Sequence, residues 1–306
     1  MKFSIYQSSR QGGRKYNQDR VAYSYSKEAL LLLVADGMGG HFHGEIAAQM
    51  TVQLIADLFQ HQARPLIRDP LYFLDEAMHK AHEAISDYSA ENELLESPRT
   101  TCVAAIIQRN VAYWAHVGDS RLYFFRKGRL VMRTMDHSRV QLLCDQGKIT
   151  EAQMTSHPDR NKIYNCLGGS VSPEVELSKR IPVEPGDTML LCSDGLWGTL
   201  TINEIGSILN AYPLDQAIPE LMDHAELRGG QDGDNLSGIA MTWGGQGNSR
   251  GTTGISTEAM PLDSCTTRLD ALHAPHGVAG EEAVVSDDDI EKAIAEIQLA
   301  IQKYSK

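Results

Sequence analysis

Two strongly apolar runs in this chain each end in an aspartate that is followed by a glycine. Residues 31–35 lead directly into Asp36, and residues 189–193 lead into Asp194. A continuous apolar strand is buried on both faces, so an aspartate at its end lies at the rim of the core. A lone carboxylate at that place is costly unless it is paired or bound to a cation. Two strands that end in this way predict one shared site.

Two further aspartates stand at the ends of strand-like runs. Asp119 follows residues 111–117, and Asp234 precedes residues 236–243. Each of them alone is also typical of an ordinary turn, because Asp and Gly are common turn residues. No comparable cluster of Lys or Arg accompanies the four aspartates, which favours coordination of a hard cation by carboxylate oxygens. Mg²⁺ and Mn²⁺ take such ligands.

Charge and hydropathy exclude two classes of protein. The chain has 40 acidic and 28 basic side chains, a formal net charge of −12, and no basic run of five or more, which argues against nucleic-acid binding. The longest apolar run, residues 29–35, is far shorter than the roughly 18 residues of a membrane span. We find no signal-peptide pattern at the start. The 5 cysteines include no CxxC pair and are typical of reduced thiols, so we expect a cytoplasmic protein.

The order of predicted elements indicates an α+β fold. Three pairs of short strands are joined by tight turns, which predicts antiparallel hairpins; they cover residues 21–26 with 30–35, 101–108 with 111–117, and 122–125 with 130–134. Helical periodicity covers residues 44–61, 71–93, 139–146, 203–210 and 214–228. Helices cluster between groups of hairpins, so we expect layered antiparallel sheets and not a doubly wound parallel sheet.

Composition changes near Trp243 and divides the chain into three parts. Residues 1–243 are predicted to form the folded domain, and residues 244–285 are predicted to be a flexible linker rich in Gly, Ser, Thr, Ala and Pro. Residues 286–306 begin with a capping-box pattern and continue with isoleucines at helical spacing, which predicts an amphipathic helix. We expect this helix to dock on a partner protein or a kinase, to pack back on the domain, or to remain undocked, with an interaction or regulatory role favoured.

Several short motifs occur in a fixed order along residues 1–243. They are Arg14-Lys15-Tyr16-Asn17-Gln18-Asp19, Asp36-Gly37-Met38-Gly39-Gly40-His41 with Gly44-Glu45, Thr100-Thr101, Gly118-Asp119-Ser120-Arg121, Asp136-His137-Ser138, Ser193-Asp194-Gly195-Leu196 and Asp234-Asn235. Together they resemble the bacterial branch of the metal-dependent PP2C (PPM) protein serine/threonine phosphatases.

The resemblance implies a four-layer αββα sandwich, in which two antiparallel sheets pack face to face between helical layers and metals lie at one edge. It also implies hydrolysis of phosphoserine and phosphothreonine in proteins that a serine/threonine kinase has phosphorylated. The attacking group would be a water or hydroxide that bridges two Mn²⁺ or Mg²⁺ ions. A catalytically silent, phosphoprotein-binding version of the fold is the second hypothesis. The presence of Asp36, Asp194 and Asp234 disfavours it.

The resemblance further implies a set of metal-binding residues. They are Asp36, which would bridge both ions, the carbonyl of Gly37, Asp194, Asp234, Asp19 through a metal-bound water, and Asp119, which with Asp194 would form a third, weaker site. The neighbouring hydroxyl residues Thr100, Thr101 and Ser120 are expected to orient the backbone and these carboxylates.

Two basic residues match positions that contact the phosphate and the leaving group. Arg14 would bind the phosphate oxygens, because a guanidinium donates two parallel hydrogen bonds and stays charged. His41 would be the general acid that protonates the departing alkoxide. His41 is also compatible with a surface loop, and His41 with His43 could form a zinc pair, but no third His or Cys stands at ligand spacing.

Residues 136–169 resemble the family's flap, a mobile segment that overhangs the metals and contributes to substrate choice. An ordinary surface excursion is the alternative. Arg99 stands where relatives usually have glycine, which puts the local backbone geometry in doubt. The flap residues predicted to contact substrate are Asp136, His137, Ser138 and Asn161.

Overall fold

The computed structural model describes residues 1–38, 43–154, 156–244, 254–269, 298, 303 and 304. The strands in this part of the chain are β1 (Lys2–Arg10), β2 (Asp19–Tyr25), β3 (Ala29–Asp36), β4 (Cys102–Gln108), β5 (Val111–Val117), β6 (Arg121–Arg126), β7 (Arg129–Arg133), β8 (Glu176–Leu177), β9 (Ile181–Pro182), β10 (Thr188–Cys192), β11 (Leu236–Trp243), β12 (Gly254–Ser256) and β13 (Thr266–Leu269). The helices are α1 (Gly44–Gln62), α2 (Pro70–Glu91), α3 (Arg139–Asp145), α4 (Glu151–Met154), α5 (Asp194–Trp197), α6 (Ile202–Ala211) and α7 (Leu214–Gly229).

The strands form two sheets in which every pairing is antiparallel. The first sheet has the order β12-β1-β11-β10-β6-β7, and the second has the order β13-β2-β3-β4-β5-β8, with β9 also paired to β5. The three predicted hairpins are confirmed as β2 with β3, β4 with β5, and β6 with β7. In the β4–β5 turn, Arg109 and Asn110 both have positive φ, at 50° and 58°. Positive φ at both central residues is typical of the two-residue turn that matches the twist of a hairpin.

Local sequence signals explain where two of the helices begin. The side chain of Asp69 accepts a hydrogen bond from the Tyr72 N–H, and Pro70 occupies the first position of α2. Thr201 and Glu204 form a reciprocal capping box at the start of α6. Among the described residues, no helix is long and apolar enough to cross a membrane.

The continuous apolar run in β3 is buried on both of its faces. Alternate residues Leu30, Leu32 and Val34 lie in the layer between the two sheets, whereas Leu31 and Leu33 face the opposite way. That second set packs with α1 and α2, and α6 and α7 pack on the outer face of the first sheet. The four-layer αββα sandwich predicted from the sequence is therefore confirmed.

The predicted flexible linker is wrong for residues 254–269, which we call the strap. Its strand β12 pairs with β1 at the edge of the first sheet, and β13 pairs with β2 at the edge of the second. Thr257, between them, is completely buried. The strap therefore spans the adjacent edges of both sheets. It has regular structure because it completes strand pairing that the domain itself provides.

The rest of the tail is described at only three positions. Residues 245–253 and 270–297 lie outside the described residues, so the remainder of the predicted linker stays a prediction. Gln298, Lys303 and Tyr304 are helical, and the helix predicted over residues 286–306 otherwise falls outside the described residues and stays a prediction. The Tyr304 hydroxyl donates a hydrogen bond of 2.6 Å to Asp87 on α2.

Candidate metal centre

Strand ends bring five carboxylates to one end of the layer between the sheets, which we call the acidic end. Asp19 is the first residue of β2 and lies directly opposite Asp36, the last residue of β3. Strand alternation puts both on the same face as Val21 and Val34, which belong to the inter-sheet core. The apolar layer between the sheets thus ends in facing carboxylates.

The other sheet contributes the next two carboxylates through a tight backbone contact. Asp194 begins α5 directly after β10, and Asp234 stands just before β11. Because these strands are antiparallel neighbours, the end of one lies beside the start of the other. A side chain on Gly195 would put a Cβ only 2.1 Å from the carbonyl oxygen of Asn235, so glycine is required for this approach.

The fifth carboxylate follows a turn at the end of β5. Gly118 has φ of 102°, and a Cβ there would lie 2.6 Å from the side chain of Thr101. Glycine therefore permits both the backbone conformation and the close packing. Asp119 comes next and is 4% exposed.

Electrostatics show that the five side chains form one cluster. Burial raises the pKa of Asp36 well above its ordinary value, and repulsion from Asp19, Asp194, Asp119 and Asp234 raises it further. All four of the other carboxylates therefore act on Asp36. The sequence prediction that aspartates at separate strand ends share one site is supported by this convergence.

Desolvation and repulsion also perturb the neighbours of Asp36. Burial, with repulsion from Asp234, raises the pKa of Asp19 to about 6. Burial, with repulsion from Asp234 and Asp19, raises the pKa of Asp194 to about 7. The pKa of Asp119 is raised well above its ordinary value by burial and by the charge of Asp194. Such a group of carboxylates disfavours its own ionised form.

The donor set of this cluster fits a hard divalent cation. Within the described part of the chain, Asp19 Oδ1 and Asp119 Oδ1 are buried and have no hydrogen-bond partner. Buried polar atoms are ordinarily paired, and an unpaired one costs about 1–3 kcal/mol. Oxygen ligands that repel one another and need a counter-charge are those that Mg²⁺ and Mn²⁺ prefer. The residues present therefore fit the ions that the sequence predicts.

The hydroxyl residues have the orienting role that the sequence predicts. Thr100 Oγ1 donates a hydrogen bond of 2.8 Å to the carbonyl of Asp36. Thr101 Oγ1 accepts from the Asp36 N–H at 3.3 Å and lies 2.7 Å from Ser120 Oγ. These contacts fix both the N–H and the carbonyl of Asp36.

Arg14 lies at the acidic end. Its Nη2 donates to Asp234 Oδ2 at 2.6 Å, and its side chain is 49% exposed. The hydrogen bond that Arg14 donates to Asp234, with weaker contributions from the charges of Asp194 and Asp36, raises the pKa of Arg14. A half-exposed guanidinium is thus present beside the carboxylates, where an anionic substrate would meet it.

Asn235 organises the loop that contains Arg14, a role that the sequence analysis missed. Its Nδ2 donates to the carbonyls of Gln11 and Tyr16, and its Oδ1 accepts from the Gln18 N–H. The only feature of the sequence that pointed to Asn235 was its position directly after Asp234. An asparagine suits this role because its amide both donates and accepts.

Ser193 and Trp197 are two more supporting residues that the sequence analysis did not assign. Ser193 Oγ donates to Asp19 Oδ2 at 2.6 Å, which orients that carboxylate. Trp197 Nε1 donates to the carbonyl of Asp119 at 2.9 Å, and the Arg121 guanidinium lies 3.4 Å from the centre of its ring. Both residues stand close to Asp194 in the sequence, but that proximity indicated no specific role for either of them.

Two predictions concern the loop after β3. His41, the predicted general acid, lies outside the described residues. Gly37 donates its N–H to the Gln18 carbonyl at 3.2 Å, and a Cβ there would lie 2.4 Å from the Gly44 carbonyl oxygen. Arg99 accepts a hydrogen bond from the Met38 N–H and is not among the residues with positive φ, so the arginine leaves the backbone regular.

The structure corrects the role of three predicted flap residues. Asp136 is 4% exposed and accepts two hydrogen bonds of 2.7 Å from Arg121. His137 is 6% exposed, and Ser138 is buried and accepts a hydrogen bond from the Gln141 N–H at the start of α3. Direct substrate contact by these side chains is therefore wrong, because they anchor the start of the flap. Asn161 is exposed, as its prediction requires.

Comparisons with known proteins agree with this geometry. A family model described as protein phosphatase 2C matches residues 7–232. A candidate 2C-type protein phosphatase of Streptococcus pyogenes is 36% identical over 227 residues, which cover 72% of this chain and 89% of that protein.

Solved structures give the same result for the fold. The Mycobacterium tuberculosis serine/threonine phosphatase PstP/Ppp is 32% identical, with a TM-score of 0.69 over 79% of this chain and 99% of that chain. The catalytic domain of PstP in complex with 2 manganese ions is 31% identical, with a TM-score of 0.66 over 79% of this chain and 98% of that one.

Proposed function

The chain belongs to the protein phosphatase 2C family, and we propose that it hydrolyses phosphoserine and phosphothreonine in proteins at the acidic end. The observation that supports this most strongly is the convergence of five carboxylates from separate strand ends at the acidic end, where Asp19 lies opposite Asp36 and the other four carboxylates all repel Asp36. Manganese in the related PstP catalytic domain supports Mn²⁺, or the chemically similar Mg²⁺, as the cofactor.

The proposed ligands follow from this cluster. Asp36 would serve both ions, a role that its electrostatic interaction with the other four carboxylates supports. The proposed ligands of the two ions are Asp36, the Gly37 carbonyl, Asp194 and Asp234, with Asp19 acting through a bound water and Asp119 with Asp194 at a third ion. When bound, a pair of divalent ions lowers the pKa of a water and stabilises the attacking and leaving oxygens of an in-line displacement.

Side chains of the domain prepare the site for this chemistry. Ser193 holds one oxygen of Asp19, and the other oxygen has no partner among the described residues. That second oxygen is therefore available to accept a hydrogen bond from water. Fixing an acceptor before substrate arrives lowers the reorganisation needed during the reaction.

Arg14 binds the phosphate in this proposal. Its guanidinium has five N–H donors in a planar fork, which matches two phosphate oxygens. The hydrogen bond to Asp234 holds the guanidinium against the acidic end. Arg14 therefore orients the phosphoryl group toward the residues that hold the ions.

His41 is proposed as the general acid on the strength of the family motif. A serine or threonine leaves as an alkoxide, whose high proton affinity makes delivery of a proton important. A ring nitrogen of His41 would supply that proton. Asn161 and the exposed surface of the flap would contribute to the choice of phosphoprotein.

The biological setting is likewise a proposal. The substrates are proteins phosphorylated by a serine/threonine kinase, and the enzyme acts in the cytoplasm. Residues 1–243 form the catalytic domain. The helix predicted at residues 286–306 docks on a partner protein or packs back on the domain, and the hydrogen bond from Tyr304 to Asp87 supports the second alternative. A formal net charge of −12 supports protein partners over nucleic acid.

The experiment is phosphate release from a phosphothreonine peptide with Mn²⁺. Asp36→Asn should lower kcat/KM by about 10³-fold or more, because it removes a ligand shared by both ions. Asp232→Asn is the matched control, since Asp232 is exposed and lies two residues before Asp234. Full activity of Asp36→Asn, or of the wild type in chelator, would contradict the proposal. Absence of wild-type activity with Mn²⁺ would favour the silent, phosphoprotein-binding reading.

A further inference from the structure

His137 makes two backbone contacts with the residue that precedes Asp119. The Gly118 N–H donates to His137 Nδ1 at 3.2 Å, and the His137 N–H donates to the Gly118 carbonyl at 2.9 Å. One residue thus binds both backbone polar groups of Gly118. Since Gly118 also packs tightly on Thr101, the turn that presents Asp119 has little freedom to move.

The same histidine binds the far end of the flap. Asn165 Nδ2 donates to His137 Nδ1 at 2.7 Å, and the Tyr164 N–H donates to the His137 carbonyl at 3.1 Å. The orientation of the Asn165 amide is fixed by Glu174, whose N–H and carbonyl bind its oxygen and nitrogen. Both ends of the flap therefore meet at His137.

These contacts decide which nitrogen of His137 is protonated. Nδ1 accepts from two N–H donors, so it holds the lone pair and the proton is on Nε2. Nε2 lies 3.3 Å from Glu176 Oε2 and donates to it. The hydrogen bond from His137 is the main cause of a lowered pKa at the Glu176 carboxyl. A carboxylate behind a histidine fixes its tautomer and its ring orientation.

A neighbouring cluster has a spacing that suits a metal, but this tautomer argues against one. His116, His137 and Glu176 place one potential ligand atom each within 4.8 Å of one another. The two imidazole rings are stacked, with centroids 4.6 Å apart and planes 26° apart. Lone pairs of stacked rings lie in separate planes and do not converge on one ion. The lone pair of His137 is, moreover, already used by two N–H groups.

His116 instead supports the ring of His137. It is 1% exposed, and its Nε2 lies 2.7 Å from the Met135 carbonyl, so that nitrogen is protonated. The ring is thereby fixed against the face of His137. His137 is held in place by stacking on one face and by hydrogen bonds at both of its nitrogens.

We propose that His137 is a positioning residue that holds the Gly118–Asp119 turn and couples it to the flap. This inference rests on the proposed role of Asp119 at the third, weaker metal site. Loss of the acceptor at Nδ1 removes a hydrogen bond from the Gly118 N–H and from the Asn165 amide together. The turn before Asp119 and the far end of the flap are then both less ordered, and the affinity of the weakest ion falls most.

The test replaces His137 by two amide side chains of different length. His137→Asn keeps a side-chain acceptor near the position of Nδ1, whereas His137→Gln moves the acceptor outward, toward the position of Nε2. His137→Phe keeps the ring and its stacking on His116 but has no acceptor. His116→Phe is the matched control, because it keeps a ring stacked on His137, and His116 is likewise buried and has no hydrogen bond with Gly118 among those described.

The first readout does not depend on activity. Hydrogen exchange of the Gly118 backbone amide and the Asn165 side-chain amide, measured by NMR without added metal, should accelerate in His137→Gln and His137→Phe. It should stay close to wild type in His137→Asn and His116→Phe. Unchanged exchange in His137→Phe, or equal acceleration in His137→Asn and His137→Gln, overturns the proposal.

The second readout is the metal requirement. The Mn²⁺ concentration for half-maximal hydrolysis of a phosphothreonine peptide should rise about 10-fold in His137→Gln, as is usual when a residue that supports a metal ligand is lost. At saturating Mn²⁺, kcat should return to within about threefold of wild type. A lower kcat that Mn²⁺ does not restore would contradict a positioning role. If the wild type releases no phosphate, the proposed function fails and amide exchange alone decides the role of His137.

Discussion

The acidic end and the strap differ in how their buried polar groups are paired. At the acidic end, Asp19 Oδ1 and Asp119 Oδ1 have no partner among the described residues. In the strap, Thr257 Oγ1 contacts the Met1 nitrogen and the Lys27 carbonyl, each at 2.7 Å, and the Thr257 N–H donates to the Met1 carbonyl at 3.0 Å. Thr257 and these two aspartates are all buried, yet of these three residues only Thr257 has every polar group paired among the described residues.

This difference shows that buried polar groups serve two purposes in the protein, ligand binding and stabilisation of the fold. Unpaired, mutually repelling carboxylates lower the free energy of unfolding, and a ligand that binds only the folded state restores it. Fully paired groups stabilise the fold and need no ligand. We therefore expect substitutions at the acidic end to affect activity more than stability. Substitutions in the strap should do the reverse.

The largest effect expected in this comparison is that of Arg14→Ala. It should lower kcat/KM for a phosphothreonine peptide by about 10²-fold, since it removes a charged donor to the phosphate. The Tm should stay nearly unchanged, because half-exposed ion pairs contribute little to stability. Arg10→Ala is the control, since Arg10 makes ion pairs with Asp223 and Glu226. A large loss of Tm in Arg14→Ala would remove the distinction between the two regions.

A smaller effect of the opposite kind is expected in the strap. Thr257→Val removes a fully buried hydroxyl and leaves two partners unpaired, which should lower the free energy of unfolding by about 1–2 kcal/mol. Denaturant unfolding measures this, and kcat/KM should be unchanged. Thr257→Ser, which keeps the hydroxyl, should lie closer to wild type. Equal stability of the valine variant and wild type would show that the strap does not stabilise the domain.

The last effect, which is confined to the metal-free protein, is a dependence of stability on pH. Burial first, and then neighbouring carboxylates, raise the pKa of Asp194 to about 7, against about 4 in the unfolded chain. Between these values the folded state binds more protons than the unfolded state, so stability falls as pH rises and levels off above about pH 7. Thermal unfolding in chelator across this range should give a flatter profile for Asp194→Asn. Parallel profiles would contradict the assigned pKa shift.

The helices and hairpins were predictable because their signals are local. Apolar periodicity predicted α1 over residues 44–61, and the structure has Gly44–Gln62. The aspartates at the acidic end were also predictable, because an acidic residue that ends an apolar strand is anomalous wherever it occurs. Their convergence could be inferred from strand topology and the family motifs.

The strap and the start of the flap were not predictable from local sequence. Strands β12 and β13 have only 3 and 4 residues and are partly or fully exposed, so they show little apolar pattern. Their structure depends on pairing with β1 and β2, far away in the chain. Asp136 and His137 were misassigned for a related reason: a polar residue in sequence does not reveal that Arg121 or Gly118 will pair with it in the core.

The most direct test of the account is thermal unfolding of the wild type and Asp36→Asn, each in chelator and in excess Mn²⁺ near neutral pH. Asp36 is repelled by four other carboxylates, so the metal-free variant should unfold at a higher temperature than metal-free wild type. Mn²⁺ should reverse that order, because only the wild type retains the shared ligand. The same order in both conditions, or equal stabilisation of the two proteins by Mn²⁺, would contradict the claim that the acidic end is a metal centre.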